Sequence, residues 1–311
     1  MNTEEQEGHL SAGTLRRFVV IAVLIAGALL AGVPAAAQQA ENAAESQAPA
    51  GAPAVPPAGF SPVWKPIFKG IDAAEAGLSM PPLAVYAVRV DLRAHGISFL
   101  VTPSNGARPR ETDGQKVSDF LEQYQAQAAI NASPFSPVDE VENGPRDIAG
   151  LSVSRGDAYS AASSRYAALV ITKRNRVWFV KPPARAKDAY NAAGGYLMIL
   201  EGGRNTGSLA PRHPRSVAGL SKNGRYLYLV AIDGRQEGYS VGATQQEAAE
   251  WAHALGAFDA LNLDGGGSTA LAVADASGGA RLLNRPIHNY IPGNERINGN
   301  NLAVFAEPLA R

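Results

Sequence analysis

The chain has 311 residues, 46% of them hydrophobic, which is enough for one large domain or two small ones with a sizeable core. Lys plus Arg and Asp plus Glu both number 28, so no net field favours nucleic acid or a membrane surface, and any anion recognition must be local. The sequence holds no cysteine, which excludes disulfides, thiolate metal sites, a cysteine nucleophile and a lipoprotein anchor.

Arg16 and Arg17 precede the apolar run "FVVIAVLIAGALLAGV", and Ala35 and Ala37 fit an A-x-A cleavage site, so 1–37 reads as a signal peptide. An uncleaved anchor is the alternative, since a run of this length nearly spans a bilayer core of about 30 Å. Cleavage would leave a periplasmic or secreted protein with no stable membrane insertion. Residues 38–59 are rich in Ala, Pro, Gln and Glu and read as a disordered linker. The folded domain is expected over 60–311.

Within it, "PLAVYAVRVDL" and "GISFLVTP" read as two strands joined as a hairpin through "RAHG". "KVSDFLEQYQAQ" sets Val117, Phe120, Leu121 and Tyr124 at helical spacing, and the strand "AAIN" follows, ending at Asn131. "GLSVSRGDAYS", "AALVITKRNRVWFV" and "YLMILEGG" add further strands. "RYLYLVAIDGR" is a strand ending at Asp233, "TQQEAAEWAHAL" a helix with a Thr244/Glu247 capping box and Gly256 as its stop, and "ALNLDGGG" a strand ending at Asp264. The expected fold is therefore α+β: a β-rich mixed sheet core, few helices, and one βαβ unit ending in the DGGGS loop. If its two strands are neighbours, Asp233 and Asp264 emerge at one sheet edge.

The glycines after Asp264 permit positive φ, close ligand approach and an anion-binding nest of N–H groups. A hairpin turn with a solvated Asp is the competing reading. No Lys follows the glycines as a P-loop requires, and Ser268 is not in a G-x-S-x-G elbow. Arg235, two residues after Asp233, suits a bidentate clamp on phosphate or carboxylate, or an ion pair within its own loop. Arg215 in "RHPRS" is a further candidate cation, with His213 a weaker donor candidate; Asn131 suits sugar hydroxyls or a turn. No HExxH, EF-hand or basic aromatic stripe occurs, so nothing directs zinc, calcium or nucleic acid. A divalent cation held by Asp264 and Asp233 stays open.

The block "HPRSVAGLSKNGRYLYLVAIDGRQEGYSVGATQQEAAEWAHALGAFDALNLDGGGSTALAV", with "SDFLEQYQAQAAINASPF" before it and "ERINGNNLAVF" after it, resembles the phosphodiester glycosidase family over roughly residues 83–305. The resemblance implies hydrolysis at an anomeric carbon whose leaving group is a phosphodiester. It implies that Arg215, Arg235 and the Gly265, Gly266, Gly267 and Ser268 loop hold phosphate. It also implies that Asp264 acts at the anomeric carbon or on water with Asp233 as its partner, that Asn131 and Asn262 bind hydroxyls or nearby backbone, and that Arg296 supports an acid or the phosphate. Asn298 stands where that family is expected to carry an apolar residue. Cell-envelope or extracellular polysaccharide is the expected substrate source. A glycosidase of uncharged glycans and a non-catalytic polysaccharide-binding module are the alternatives.

Overall fold

The strand Tyr226–Ile232 shows why this chain builds a layered β structure: Leu227, Leu229 and Ala231 point to one face, Tyr228, Val230 and Ile232 to the other, and all six are buried. The computed structural model describes residues 51–183, 187–209 and 211–309; the segment read as a signal peptide and the first part of the linker lie outside them. Among the described residues no helix is long and apolar enough to cross a membrane.

Tyr226–Ile232 sits inside an eight-stranded sheet ordered Lys65–Phe68, Ile71–Ser79, Pro82–Asp91, Tyr226–Ile232, Arg215–Leu220, Asp259–Asn262, Leu197–Glu201, Arg204–Asn205. One of its faces packs on helix α2 (Gln245–Leu255) through Val85, Val217, Val230, Ile232 and Trp251. The other, through Val88, Leu229 and Leu261, meets two five-stranded sheets that contribute Ile130, Leu302 and Val304, and Leu169 and Ile171. Helix α1 (Val117–Tyr124) covers the outer side of the sheet containing Ala128–Asn131 and Asn301–Phe305, burying Phe120 and Leu121 against Ala129 and Ala303. A short three-stranded sheet of Thr112–Asp113, Pro145–Ile148 and Phe135–Ser136 completes the strand inventory.

The β-rich character and the scarcity of helices agree with the sequence reading, but three expectations are corrected. Every strand ladder among the described residues is antiparallel, so the sheets are not mixed. The strands flanking α2 do run parallel, because each is antiparallel to Arg215–Leu220, yet that strand lies between them. The intervening strand is the hairpin partner of Tyr226–Ile232, a local pairing that the crossover helix spans. Pro82–Asp91 and Ser98–Val101 form no hairpin either: the first pairs with Ile71–Ser79 and Tyr226–Ile232, the second with Asn301–Phe305 in another sheet.

The end of the segment read as disordered linker is docked. Ala54 is buried, its N–H donating to Glu247 Oε1 at 2.7 Å and its carbonyl accepting from Trp251 Nε1 at 2.8 Å. Composition missed this because the contacts are backbone groups satisfied by a helix almost 200 residues on; Arg212 adds a 2.6 Å bond to Ala52 O. In α2 the capping box is present, with Thr244 accepting from Glu247 N–H and Glu247 accepting from Thr244 N–H, and Gly256 closes the helix at φ 116.

Candidate active site

Ile232 pairs with Arg215 and Asn262 with Val217, so the chain leaves both strands at the same sheet edge, on either side of Pro214. The two loops are packed against that residue. Gly266 N–H donates to Pro214 O at 2.9 Å, while a Cβ at Gly265 would come within 2.8 Å of the same oxygen, and one at Gly234 within 2.8 Å of Pro214 N. No larger residue fits at either position without moving backbone.

Asp264 is buried at this edge. Its amide is fixed to Ala132 O at 2.9 Å and its carbonyl accepts from Asn131 Nδ2 at 2.7 Å, which aims the side chain. The half-exposed Tyr196 donates its hydroxyl to Asp264 Oδ1 at 3.3 Å. Burial pushes the Asp264 carboxyl above the usual carboxylate range, against the Ser268 hydroxyl, the Arg296 charge, the Gly265 N–H and Tyr196, which favour the anion. The neighbouring carboxylate, together with burial, in turn raises the Tyr196 phenol, keeping it a proton donor.

Two guanidinium groups flank the loop after Asp264. A Cβ at Gly266 would stand 3.1 Å from Arg235 Nη2, and one at Gly267 only 2.7 Å from Arg296 Nη2, so consecutive glycines make room for consecutive cations. Arg296 is buried and fixed, donating from Nε to His288 Nδ1 at 3.0 Å and from Nη1 to Ser268 Oγ at 3.3 Å. Arg235 has a left-handed backbone, φ 58, and its guanidinium lies 5.6 Å from the centre of the Tyr290 ring and 3.5 Å from His213 Nδ1. Burial, with Arg215 and Arg235 nearby, lowers His213 to about 3, so this imidazole is neutral at physiological pH.

Several residues singled out from sequence reach this edge but take supporting positions. Asp233 is 1% exposed, and its oxygens accept from Asn284 Nδ2 at 2.8 Å, Arg285 N–H at 2.8 Å and Tyr239 Oη at 3.0 Å. Three donors aimed at one buried carboxylate tie it to the 284–285 turn and to Tyr239. Burial pushes its pKa up to about 6, opposed by those same bonds. Asn284 Nδ2 also reaches Thr269 O at 3.2 Å, tying the turn to the loop that begins at Asp264. Among the described residues no three His, Asp or Glu side chains gather as metal ligands.

Asn131 is similarly engaged, Oδ1 accepting from Ser216 Oγ at 2.6 Å and from Ala270 N–H at 3.2 Å while one Nδ2–H goes to Asp264 O, so it orients neighbouring backbone. Arg215 donates to Ala243 O at 2.9 Å and Pro211 O at 2.8 Å, bracing the 211–215 turn. The expected anion nest is altered too. Gly266 and Ser268 N–H donate to Pro214 O and Gly265 O, and the loop supplies space for the arginines, the Ser268 hydroxyl and the Gly265 N–H toward Asp264. Asn262 keeps Oδ1 buried with no hydrogen-bond partner among the described residues, although its Nδ2 donates to Leu263 O at 3.1 Å. Asn298 donates from Nδ2 to Ser268 O at 3.4 Å, so the departure noted there supports the same loop.

Sequence reasoning did not find Tyr196, Glu140, His288 or Tyr290. Tyr196 opens an ordinary apolar strand, and the other three have no local motif: His288 and Tyr290 contact Arg296 and Arg235, and Glu140 reaches His288 from the other side of the chain, 148 residues earlier. Asn289 and Tyr290 both hold left-handed φ, 53 and 57, a strained pair costing on the order of 1 kcal/mol per residue.

A buried carboxylate, with two guanidinium groups against the next glycines of its own loop, stands at the edge of an antiparallel β scaffold. The chain belongs to the phosphodiester glycosidase family, whose sequence model matches residues 124–305. Its fold is similar to the catalytic domain of zebrafish N-acetylglucosamine-1-phosphodiester alpha-N-acetylglucosaminidase auto-inhibited by its pro-peptide, with TM-score 0.57 at 18% identity, covering 82% of this chain and 87% of that one. A hypothetical protein from Synechocystis is similar at TM-score 0.53 and 18% identity over 78% of this chain, which spans 64% of that chain's length. No curated protein matches.

Proposed function

We propose that the chain is an exported hydrolase that releases a sugar from a glycosyl-1-phosphodiester of cell-envelope or extracellular polysaccharide. The observation that carries this reading is the buried Asp264 with Arg296 and Arg235 against the next glycines of its own loop. Family membership and the likeness to the zebrafish catalytic domain support it.

In this mechanism the phosphate oxygens lie against Arg235 and Arg296. The bond from the anomeric carbon to the bridging oxygen breaks, and its electron pair leaves with the phosphate, whose charge the guanidinium groups offset. That leaving group needs no strong general acid. Asp264 faces the oxocarbenium-like carbon and takes the proton of the attacking water, leaving a free sugar and a phosphomonoester. Tyr196 and Ser268 hold the carboxylate in place, and Asn262 Oδ1 remains as an acceptor for a sugar hydroxyl. Asp233, Asn131 and Arg215 position these groups.

The test is product identification by mass spectrometry over a panel of glycosyl-1-phosphodiesters and p-nitrophenyl glycosides. Release of sugar from the phosphodiesters alone is expected. Preference for uncharged glycosides would replace this reading with a general glycosidase, and binding without any product would replace it with a polysaccharide-binding module.

A further inference from the structure

Glu140 belongs to the loop between Phe135–Ser136 and Pro145–Ile148, far in sequence from Asp264 and from both arginines, yet one of its oxygens holds the segment that touches both arginines. Oε1 lies 2.6 Å from His288 Nε2 and accepts from Asn289 Nδ2 at 2.8 Å. His288 passes the first contact on. Arg296 carries only donors, so its Nε–H makes His288 Nδ1 an acceptor; the ring proton then sits on Nε2 and is donated to Glu140. Asn289 passes on the second contact, because it and Tyr290 form the left-handed pair that sets the Tyr290 ring against the Arg235 guanidinium.

We propose that Glu140 is a positioning residue that sets the placement of both guanidinium groups at once, Arg296 through His288 and Arg235 through the Asn289–Tyr290 turn. Its catalytic consequence rests on the function proposed above; its structural consequence does not. Glu140 is exposed and makes its hydrogen bonds to His288 and Asn289; its charge also acts on Arg296 through space, and Glu140→Gln, which removes the charge and keeps the acceptor, isolates the positioning part. Two groups that must meet the same phosphate are thereby oriented by one oxygen, and an ångström of displacement in either lowers the rate steeply.

The experiment compares the full chain with Glu140→Ala and Glu140→Gln, Gln retaining an oxygen acceptor without the charge. Nitrogen-15 spectra follow the Arg296 Nε–H and His288 Nε2–H resonances, assigned through Arg296→Lys and His288→Gln, alongside kcat and KM for a glycosyl-1-phosphodiester. In Glu140→Ala both resonances are expected to be lost to solvent exchange, and kcat to fall about 10- to 100-fold; Glu140→Gln restores both. Persistence of a protected Arg296 Nε–H in Glu140→Ala overturns the proposal. If the resonances are lost but even the wild-type chain cleaves no phosphodiester, the positioning role stands and the proposed reaction falls.

Discussion

Arg235 and Arg296 approach one loop from two different segments of the chain, each against its own glycine: Arg235 Nη2 at 3.1 Å from where a Gly266 Cβ would be, Arg296 Nη2 at 2.7 Å from that of Gly267. The flexible backbone after Asp264 therefore has a specific use. It brings two cations to within a residue or two of a buried carboxylate.

Gly267→Ala tests this directly. A methyl group there meets Arg296 Nη2 and Cζ, and lies 3.1 Å from His288 Nδ1. Arg296 cannot yield without giving up its bonds to His288 and Ser268. The variant is expected to fold with its Tm lowered by a few degrees and to lose about 100-fold in kcat/KM; steady-state kinetics beside a thermal melt decide it.

Arg235→Lys keeps the charge but loses the planar fork and its contact with the Tyr290 ring. A rise in KM of about tenfold, with a smaller change in kcat, is expected for a phosphodiester, and no change in inhibition by the free sugar product. Equal effects on substrate KM and on sugar inhibition would remove Arg235 from phosphate recognition.

Tyr196→Phe deletes the hydroxyl that donates to Asp264 Oδ1. With one donor gone from a buried carboxylate, the Asp264 pKa moves further up. The acidic limb of the rate profile is expected to shift to higher pH, with maximal turnover reduced about tenfold; the pH dependence of kcat checks both.

Stability should respond to acid through two groups of opposite sign. His213 is lowered from 6.5 to about 3 by burial and the neighbouring arginines, so its contribution is present above about pH 6.5 and lost as pH falls toward 3. Asp233 is raised from 3.8 to about 6 by burial, so its contribution is present below about pH 4 and lost as pH rises to about 6. His213→Gln removes the first effect only. Between about pH 7 and pH 5 the variant's Tm is expected to fall a few degrees less than that of wild type; an identical fall in both contradicts the placement of His213.

What the sequence disclosed follows interaction range. The Thr244–Glu247 capping box, the Gly256 stop and Asp264 with its glycines are local, and each stands where its spacing put it. Asp233 was recognisable as a strand-end acid, but its partners Asn284 and Arg285 lie about 50 residues on, so nothing nearby distinguished an anchor from a catalyst. The strand Ile71–Ser79, with the sequence IDAAEAGLS, carries Ala and Glu in place of β-branched residues and is held by nine cross-strand partners in Pro82–Asp91. His288 and Glu140 gain their meaning from Arg296 and Arg235, through chains of contacts that no spacing encodes.

The central claim is that water attacks the sugar carbon under the control of Asp264. Hydrolysis of a glycosyl-1-phosphodiester in oxygen-18 water, by wild type and by Asp264→Asn, measures it most directly. The account predicts the label on the anomeric oxygen of the released sugar, and at least about a 100-fold loss of that release in a normally folded variant. Label in the phosphomonoester, or a variant that turns over like wild type, would contradict it.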